Sequence, residues 1–398
     1  MEETKTRHSH GVNSHFRRVV SIASLVLVAG LLLSLVFAAP VQPGDALASE
    51  VVPPYDLSSL THSQVPTRQL FMPMVGHNAF SGMSSQWRFG FAVHSGRGQI
   101  DSYDVNTLHA GWYYDLTWRV RPSRPGGIEY MQVVRVGDRY YPPDWNTLGQ
   151  AVANNPGAWW FVGNEPDRAG LQDGVVPGVY AQRYRAIYQF IKSRDPSARL
   201  APAGIVQPTP LRLRYLDMIL AEYRSRYGSQ LPADGWNIHN MILREEAKNW
   251  GADIPPGINE TRGVLYEVND NDNITYFRNQ IVAFRQWMKA NGYQTLPLMI
   301  SEYGVLMPEM YGFDQRRVIN FMYASFLYML DAKDCSLGQP SDECRLVQRW
   351  SWYSLNDQMW VPPLACTGND CGFNGNLFDP TTRLITAFGI AYRDRPYH

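Results

Sequence analysis

From about Trp87 onward the hydrophobic pattern repeats one theme: a short apolar run, a few turn residues, then a longer amphipathic stretch. Runs of this kind predict strands at Phe89–Val93, Ala110–Tyr114, Ile128–Val134, Trp159–Val162, Arg199–Ala203, Gly235–His239, Leu298–Ile300 and Arg349–Trp352. Helical spacing predicts helices at Tyr180–Arg194, followed by Pro196, at Leu213–Tyr227, at Thr275–Asn291, which runs into Gly292, and at Val318–Asp331. The first three strands are followed by weak helical signals. Alternation of strand and helix points to βα units and a parallel sheet. Eight such strands fit an α/β fold of the (β/α)8 TIM barrel type better than an open sheet. The catalytic domain is expected over residues 87–398.

The N-terminal end reads differently. Lys5, Arg7, Arg17 and Arg18 precede an apolar run from Val19 to Ala39, and Ala46-Leu47-Ala48 closes it. A basic segment, an apolar segment and a small-x-small end describe an export signal. The apolar run is also long enough to cross a bilayer as a helix. Cleavage after Ala48 and retention as an N-terminal membrane anchor through residues 19–39 therefore stay open. Both place the rest of the chain in an extracellular or cell-surface setting. Residues 49–86, rich in Pro, Ser and Thr, read as a linker.

Composition changes little. Basic and acidic residues balance at 36 each, which gives no electrostatic reason to expect a nucleic acid partner. The four cysteines form two close pairs, Cys335 with Cys344 and Cys366 with Cys371, in segments rich in turn residues. Neither pair has metal-site spacing, and an exported chain favours local disulfides. No phosphate loop, dinucleotide fingerprint or Gly-x-Ser-x-Gly elbow occurs, so neither cofactor nor metal is expected.

Two places carry chemistry. Trp159-Trp160-Phe161-Val162 runs through Gly163 into Asn164-Glu165-Pro166-Asp167, and Leu298-Met299-Ile300 runs into Ser301-Glu302-Tyr303-Gly304. Each is a lone acid directly after an apolar strand, at the strand end where barrels keep their active sites. Glycosidic cleavage needs two carboxyl groups: one with a raised pKa to protonate the leaving oxygen, the other ionised. Asn164 and Tyr303 are candidates to bind substrate hydroxyls. Trp112, Tyr114 and Trp352 at strand ends are candidate sugar-stacking platforms, with Trp118 and Trp360 behind them. His239 ends the sixth strand and is a further candidate substrate-binding residue.

These residues resemble glycoside hydrolase clan A. The resemblance rests on Asn164-Glu165-Pro166 after strand four and Ser301-Glu302-Tyr303-Gly304 after strand seven. Within the clan the chain is similar to the family 128 type, which contains endo-β-1,3-glucanases. That likeness rests on Gly111-Trp112-Tyr113-Tyr114, Gly163-Asn164-Glu165-Pro166-Asp167, Trp236-Asn237-Ile238-His239 and Arg349-Trp350-Ser351-Trp352-Tyr353. It implies a retaining hydrolase of β-linked polysaccharide, with Glu165 as acid/base and Glu302 as nucleophile. A monomer acting on a polysaccharide or oligosaccharide is expected. The segments 240–273 and 355–378 are long and are expected to reshape the cleft. An exo-acting β-glycosidase is the alternative, and a non-catalytic polysaccharide-binding barrel is disfavoured by the presence of both acids.

Overall fold

Among the described residues every strand is parallel to its neighbours, and apart from Glu129 and Arg199 every strand residue is buried. The computed structural model describes residues 85–358 and 373–395. The strands are β1 (Phe89–Ala92), β2 (Trp112–Tyr114), β3 (Glu129–Tyr130), β4 (Gln132–Val134), β5 (Trp159–Val162), β6 (Arg199–Pro202), β7 (Trp236–His239), β8 (Leu298–Tyr303) and β9 (Arg349–Trp352). Six form one sheet in the order β3-β2-β1-β9-β8-β7, and three form another in the order β4-β5-β6. The third expected strand is split at Met131, so that β3 pairs with β2 and β4 with β5. Beyond β6, the Asp234 and His239 amides donate to the Leu200 and Ile205 carbonyls, both at 2.8 Å, and carry β7 alongside the second sheet.

Burial on both faces explains the unbroken apolar runs. Ala92, Trp112, Tyr114, Met131, Val133, Trp159, Phe161, Ala201 and Met299 form one inner cluster. The residues that alternate with them, such as Phe91, Tyr113, Trp160, Ile300, Trp350 and Trp352, pack in a larger cluster with the helices. Period-two alternation thus divides each strand between a small interior and a broad helix-facing layer.

The helices are α1 (Trp145–Asn154), α2 (Pro177–Arg194), α3 (Pro210–Tyr227), α4 (Ile274–Ala290), α5 (Gln315–Asp331) and α6 (Ala387–Arg393). Pro177 and Pro210 start α2 and α3 at the first helical position, where a missing N–H costs nothing. The Asp144, Asn273 and Asp314 side chains cap α1, α4 and α5. Between β1 and β2 stand three short 3-10 turns, at Ser95–Arg97, Ile100–Ser102 and Val105–Leu108, in place of a helix. Between β2 and β3 there is one such turn, Pro125–Gly127. Gly96, Gly98, Pro122 and Pro125 make these connections poor helix formers.

Cys335 and Cys344 are disulfide-bonded, nine residues apart, in the connection from α5 to β9. Closing so short a loop contributes on the order of 2–3 kcal/mol by chain entropy. The leader and anchor segment 1–48, most of the linker, Trp360, Cys366 and Cys371 lie outside the described residues. Among the described residues no helix is long and apolar enough to cross a membrane.

Candidate active site

Two strand ends bring the carboxylates together, and each uses a local irregularity to do so. After β5, Gly163 takes φ +99°, where a Cβ would meet Val136 Cγ2 at 2.8 Å. Glu165 follows with φ +41°. The turn is held from both sides: the Asn164 amide donates to Asp173 Oδ2 at 2.8 Å and the Glu165 amide to the Gly204 carbonyl at 2.9 Å. Below it lies a fully buried ion group. Arg212 donates to Asp167 and, at 2.7 Å, to Glu245, and its remaining donors reach the Ala252 and Asp253 carbonyls at 2.7 and 2.8 Å.

On β8 the device is a bulge. Ile238 pairs with Ile300, but His239 pairs with Glu302, so β8 carries one residue more than β7 across the step. The Ser301 amide, left out of the ladder, donates to Asn237 Oδ1 at 3.2 Å. Strict alternation from the inward Met299 would send Glu302 toward the helices. The bulge turns it inward and sends Tyr303 outward.

The result is a tight group. His239 Nδ1 lies 3.0 Å from Glu165 Oε1 and 3.5 Å from Glu302 Oε2. One oxygen of each glutamate and a ring nitrogen of His239 all lie within 4.8 Å of one another. The Tyr114 hydroxyl donates to Glu302 Oε1 at 2.7 Å. Arg168 Nη1 approaches Glu165 Oε2 at 3.3 Å. All three central residues are nearly sealed from solvent: Glu165 is 3%, Glu302 6% and His239 0% exposed.

Charge is unevenly shared. Burial pushes the Glu165 carboxyl up, but the Arg168 guanidinium and the His239 hydrogen bond outweigh it and bring the pKa down to about 2. Burial raises Glu302, and the nearby Glu165 charge adds to this against the pull of His239. Two carboxylates this close do not both ionise cheaply, and the one without a guanidinium takes the proton. Burial lowers His239, yet Glu302 and Glu165 lift it above its ordinary value. The two carboxyls are thus shifted apart, Glu165 down and Glu302 up, the reverse of the order a Glu165 acid requires at the first step.

This raised pKa has a consequence for stability. Folding shifts Glu302 above its unfolded value, so its full contribution is present in acid and is lost as pH rises through the folded pKa. Glu302→Gln removes that loss. Its melting temperature should exceed wild type by on the order of a few degrees at pH 7, with the gap closing near pH 4. Paired thermal melts across this range check it, and equal melting curves at pH 7 contradict it.

Behind the histidine stands Gly204. A Cβ there would lie 2.5 Å from His239 Cδ2 and 2.8 Å from Nε2. The ring cannot yield without leaving its carboxylates, because His239 is fully buried. Gly204→Ala should cut kcat by about tenfold to a hundredfold through misplacement of His239. A kinetic comparison with wild type checks this, and unchanged kcat contradicts it.

Of the residues expected from the sequence, Glu165, Glu302, His239 and Tyr114 converge here. Asn164 stands beside Glu165 with its amide donating to Gln172 Oε1 at 3.2 Å. Three others are placed elsewhere. Trp112 lies two residues below Tyr114 on the inner face, where its Nε1 donates to the Arg88 carbonyl at 3.1 Å. Tyr303 packs on Phe277 of α4 and on Trp352, with ring centroids 5.3 and 5.5 Å away. Trp352 itself lies against Phe326 of α5 and donates to the Gly375 carbonyl. Tyr303 and Trp352 thus belong to the helix-facing layer, and all three are completely buried, so none is a stacking platform in this structure. Tyr353, one residue on, packs against the inner cluster instead, and its hydroxyl donates to Asp357 Oδ2 at 2.5 Å. Arg168, Tyr353 and Gly204 were not singled out from the sequence.

A cleft of about 410 Å³ opens at the carboxyl ends of β1, β2 and β4, lined by His94, Asp115, Trp118, Arg135 and Tyr140 among others. Neither glutamate lines it. Trp118 is therefore the expected aromatic with access to open space. The Glu165, His239 and Glu302 set has the spacing of a metal site. Its oxygens already carry Arg168 and Tyr114, and a guanidinium beside a ligand carboxylate opposes a cation. The arrangement suits proton transfer and nucleophilic attack better.

By sequence, no protein family matches the chain and no curated protein is similar to it. By structure it resembles glycoside hydrolases. It is similar to an oligosaccharide-binding protein of glycoside hydrolase family 128 (subgroup VII) from Trichoderma gamsii, at 14% identity, over 77% of this chain and 93% of that one, with a TM-score of 0.44. A monomeric β-xylosidase from Caulobacter crescentus CB15 aligns at 14% identity over 78% and 68%, with a TM-score of 0.50. A glucosidase from Croceicoccus marinus aligns at 13% identity over 78% and 65%, also with a TM-score of 0.50. At such identities the likeness shows the fold: the parallel α/β scaffold on which these glycosidases are built.

Proposed function

We propose that this protein is an exported, retaining glycoside hydrolase that cleaves β-linked polysaccharide, with β-glucan as the favoured substrate. The two parallel sheets are read as one eight-stranded (β/α)8 barrel, closed through the β3–β4 junction and the amide bonds between β6 and β7. The observation that carries the reading is the pair of buried carboxylates, Glu165 after β5 and Glu302 at the end of β8, with an oxygen of each within 4.8 Å of the other. Carboxyl groups about 5–5.5 Å apart suit direct attack; an inverting pair needs room for a water between them.

In the first step a Glu302 oxygen attacks the anomeric carbon while Glu165 gives its proton to the leaving oxygen. The glycosidic bond breaks and a glycosyl ester forms on Glu302. In the second step Glu165 takes a proton from water, whose oxygen displaces Glu302 with overall retention. Tyr114 stays a neutral donor, because burial and the Glu302 charge push its hydroxyl well above its ordinary range. Glu302 must be ionised to attack, and Glu165 must carry the proton it gives. His239 Nδ1, facing both carboxylates, is the group that can relay it.

Near-complete burial of both acids favours an exo-acting β-glycosidase as a second reading, since an endo-acting cleft leaves its acids more open. Export is supported by the leader pattern and by the Cys335–Cys344 disulfide. Purified protein assayed on β-1,3-glucan, mixed-linkage glucan, xylan, mannan and galactan, with product sizing, tests the proposal. Oligomers of mixed length indicate endo cleavage and single sugars exo cleavage. Binding without turnover on every substrate contradicts a hydrolase.

A further inference from the structure

Arg168 has more donors than partners. Nη1 meets Glu165 Oε2 and Nη2 the Gly251 carbonyl, both at 3.3 Å, the long end of the hydrogen-bond range. Its Nε is buried with no partner. Arg212, which is fully buried, shows what a structural arginine in this fold does: it engages two carboxylates and two carbonyls. An unsatisfied buried donor is costly, yet Arg168 is not walled in, since its side chain is 23% exposed. It can be reached from solvent.

Its position says which part of a substrate would reach it. Glu165 presents Oε1 to His239 and Oε2 to Arg168. On the proposed role of Glu165, the leaving oxygen and the sugar it belongs to lie on this acid's side. We infer that the leaving-group subsite is built for a sugar bearing a carboxylate, a uronic acid residue, with Arg168 as the residue that selects it. The planar guanidinium fork matches a carboxylate through two parallel hydrogen bonds, which a neutral hydroxymethyl group cannot accept with equal strength. Arg135, the neighbouring guanidinium after β4, is already committed to Asp173 at 2.6 Å and Gln172 at 3.0 Å. The selection also serves the chemistry. Arg168 is the leading attraction that holds Glu165 ionised, and a substrate carboxylate that draws it away lets Glu165 take up the proton it must give.

The inference rests on the hydrolase reading, and the test separates the two. Full-length protein and Arg168→Gln are compared on paired β-disaccharides that differ only in whether the leaving sugar is glucose or glucuronic acid. Wild type should favour the uronic acid partner in kcat/KM by about tenfold or more. Arg168→Gln should collapse that ratio by about tenfold, to near one, chiefly through KM. Binding of methyl β-D-glucuronide and methyl β-D-glucoside is measured alongside by calorimetry. A wild-type ratio at or below one, or a ratio that Arg168→Gln leaves unchanged, overturns the inference while turnover itself leaves the hydrolase reading standing. If neither disaccharide is cleaved, the hydrolase reading fails on these substrates and binding decides alone. Preference for the glucuronide that disappears in Arg168→Gln then upholds the anion site, and equal binding of the two glycosides overturns it.

Discussion

Glu302→Ala is expected to have no measurable turnover of polysaccharide or of an activated aryl glycoside, a loss on the order of 10⁵-fold or more. Without the Glu302 oxygen no covalent ester forms, and the quality of the leaving group does not matter. The space left by the side chain lies beside Tyr114 and His239, both fully buried. A small anion such as azide or formate can enter it and attack the anomeric carbon once, giving a glycosyl product of inverted configuration. Product configuration by NMR with and without azide checks this. Rescue with retained configuration would give the nucleophile's role to Glu165.

Glu165→Ala should behave differently with each substrate. On polysaccharide, whose leaving oxygen needs a proton, kcat/KM should fall by on the order of 10³-fold or more. On an aryl glycoside with a good leaving group the first step needs no acid and proceeds. The ester on Glu302 then accumulates, because no base activates water, and a burst of aryl alcohol is followed by a slow steady state. Added azide should restore turnover and give a retained glycosyl azide. This experiment bears directly on the inverted proton affinities of the empty site. Arg168 and His239 hold Glu165 down while Glu302 is raised, which by itself would suit a Glu165 nucleophile. Azide rescue of Glu302→Ala with retention, together with a Glu165→Ala variant dead on every substrate, would show that the resting pattern and not the resemblance gives the true roles.

The strands were legible for a simple reason. A parallel strand buried on both faces is apolar throughout, so β5 and β8 stand out in the sequence as Trp159–Val162 and Leu298–Ile300. The four long helices were legible from their spacing, with starts three residues earlier where Pro177 and Pro210 begin α2 and α3. Helix α1 was not read, because Gly149 and Asn154 dilute its ten residues. Helix α6 was not read either; it is seven residues long and includes Gly389.

The site was half legible. Glu165 and Glu302 announce themselves as lone acids after apolar runs. Which way their neighbours face does not, because that depends on the β8 bulge, and a one-residue slip exchanges the two faces of a strand. Tyr303 goes outward for this reason, Trp352 beside it goes outward by alternation from Trp350, and Tyr353 takes the inward place expected of Trp352. Arg168 carries no sequence signal, being one arginine in a polar turn. Its meaning comes only from the loop that brings Gly251 beside it.

The most direct measurement is to trap the intermediate. A 2-deoxy-2-fluoro glycoside with a good leaving group, built on the sugar that the substrate screen identifies, slows the second step more than it slows the first. The protein is digested after reaction and its peptides are mapped by mass spectrometry. The account predicts one glycosyl group per chain, in ester linkage to Glu302 in the peptide that carries Ser301-Glu302-Tyr303. A label on Glu165, or an unlabelled protein that still cleaves the parent glycoside, would contradict it.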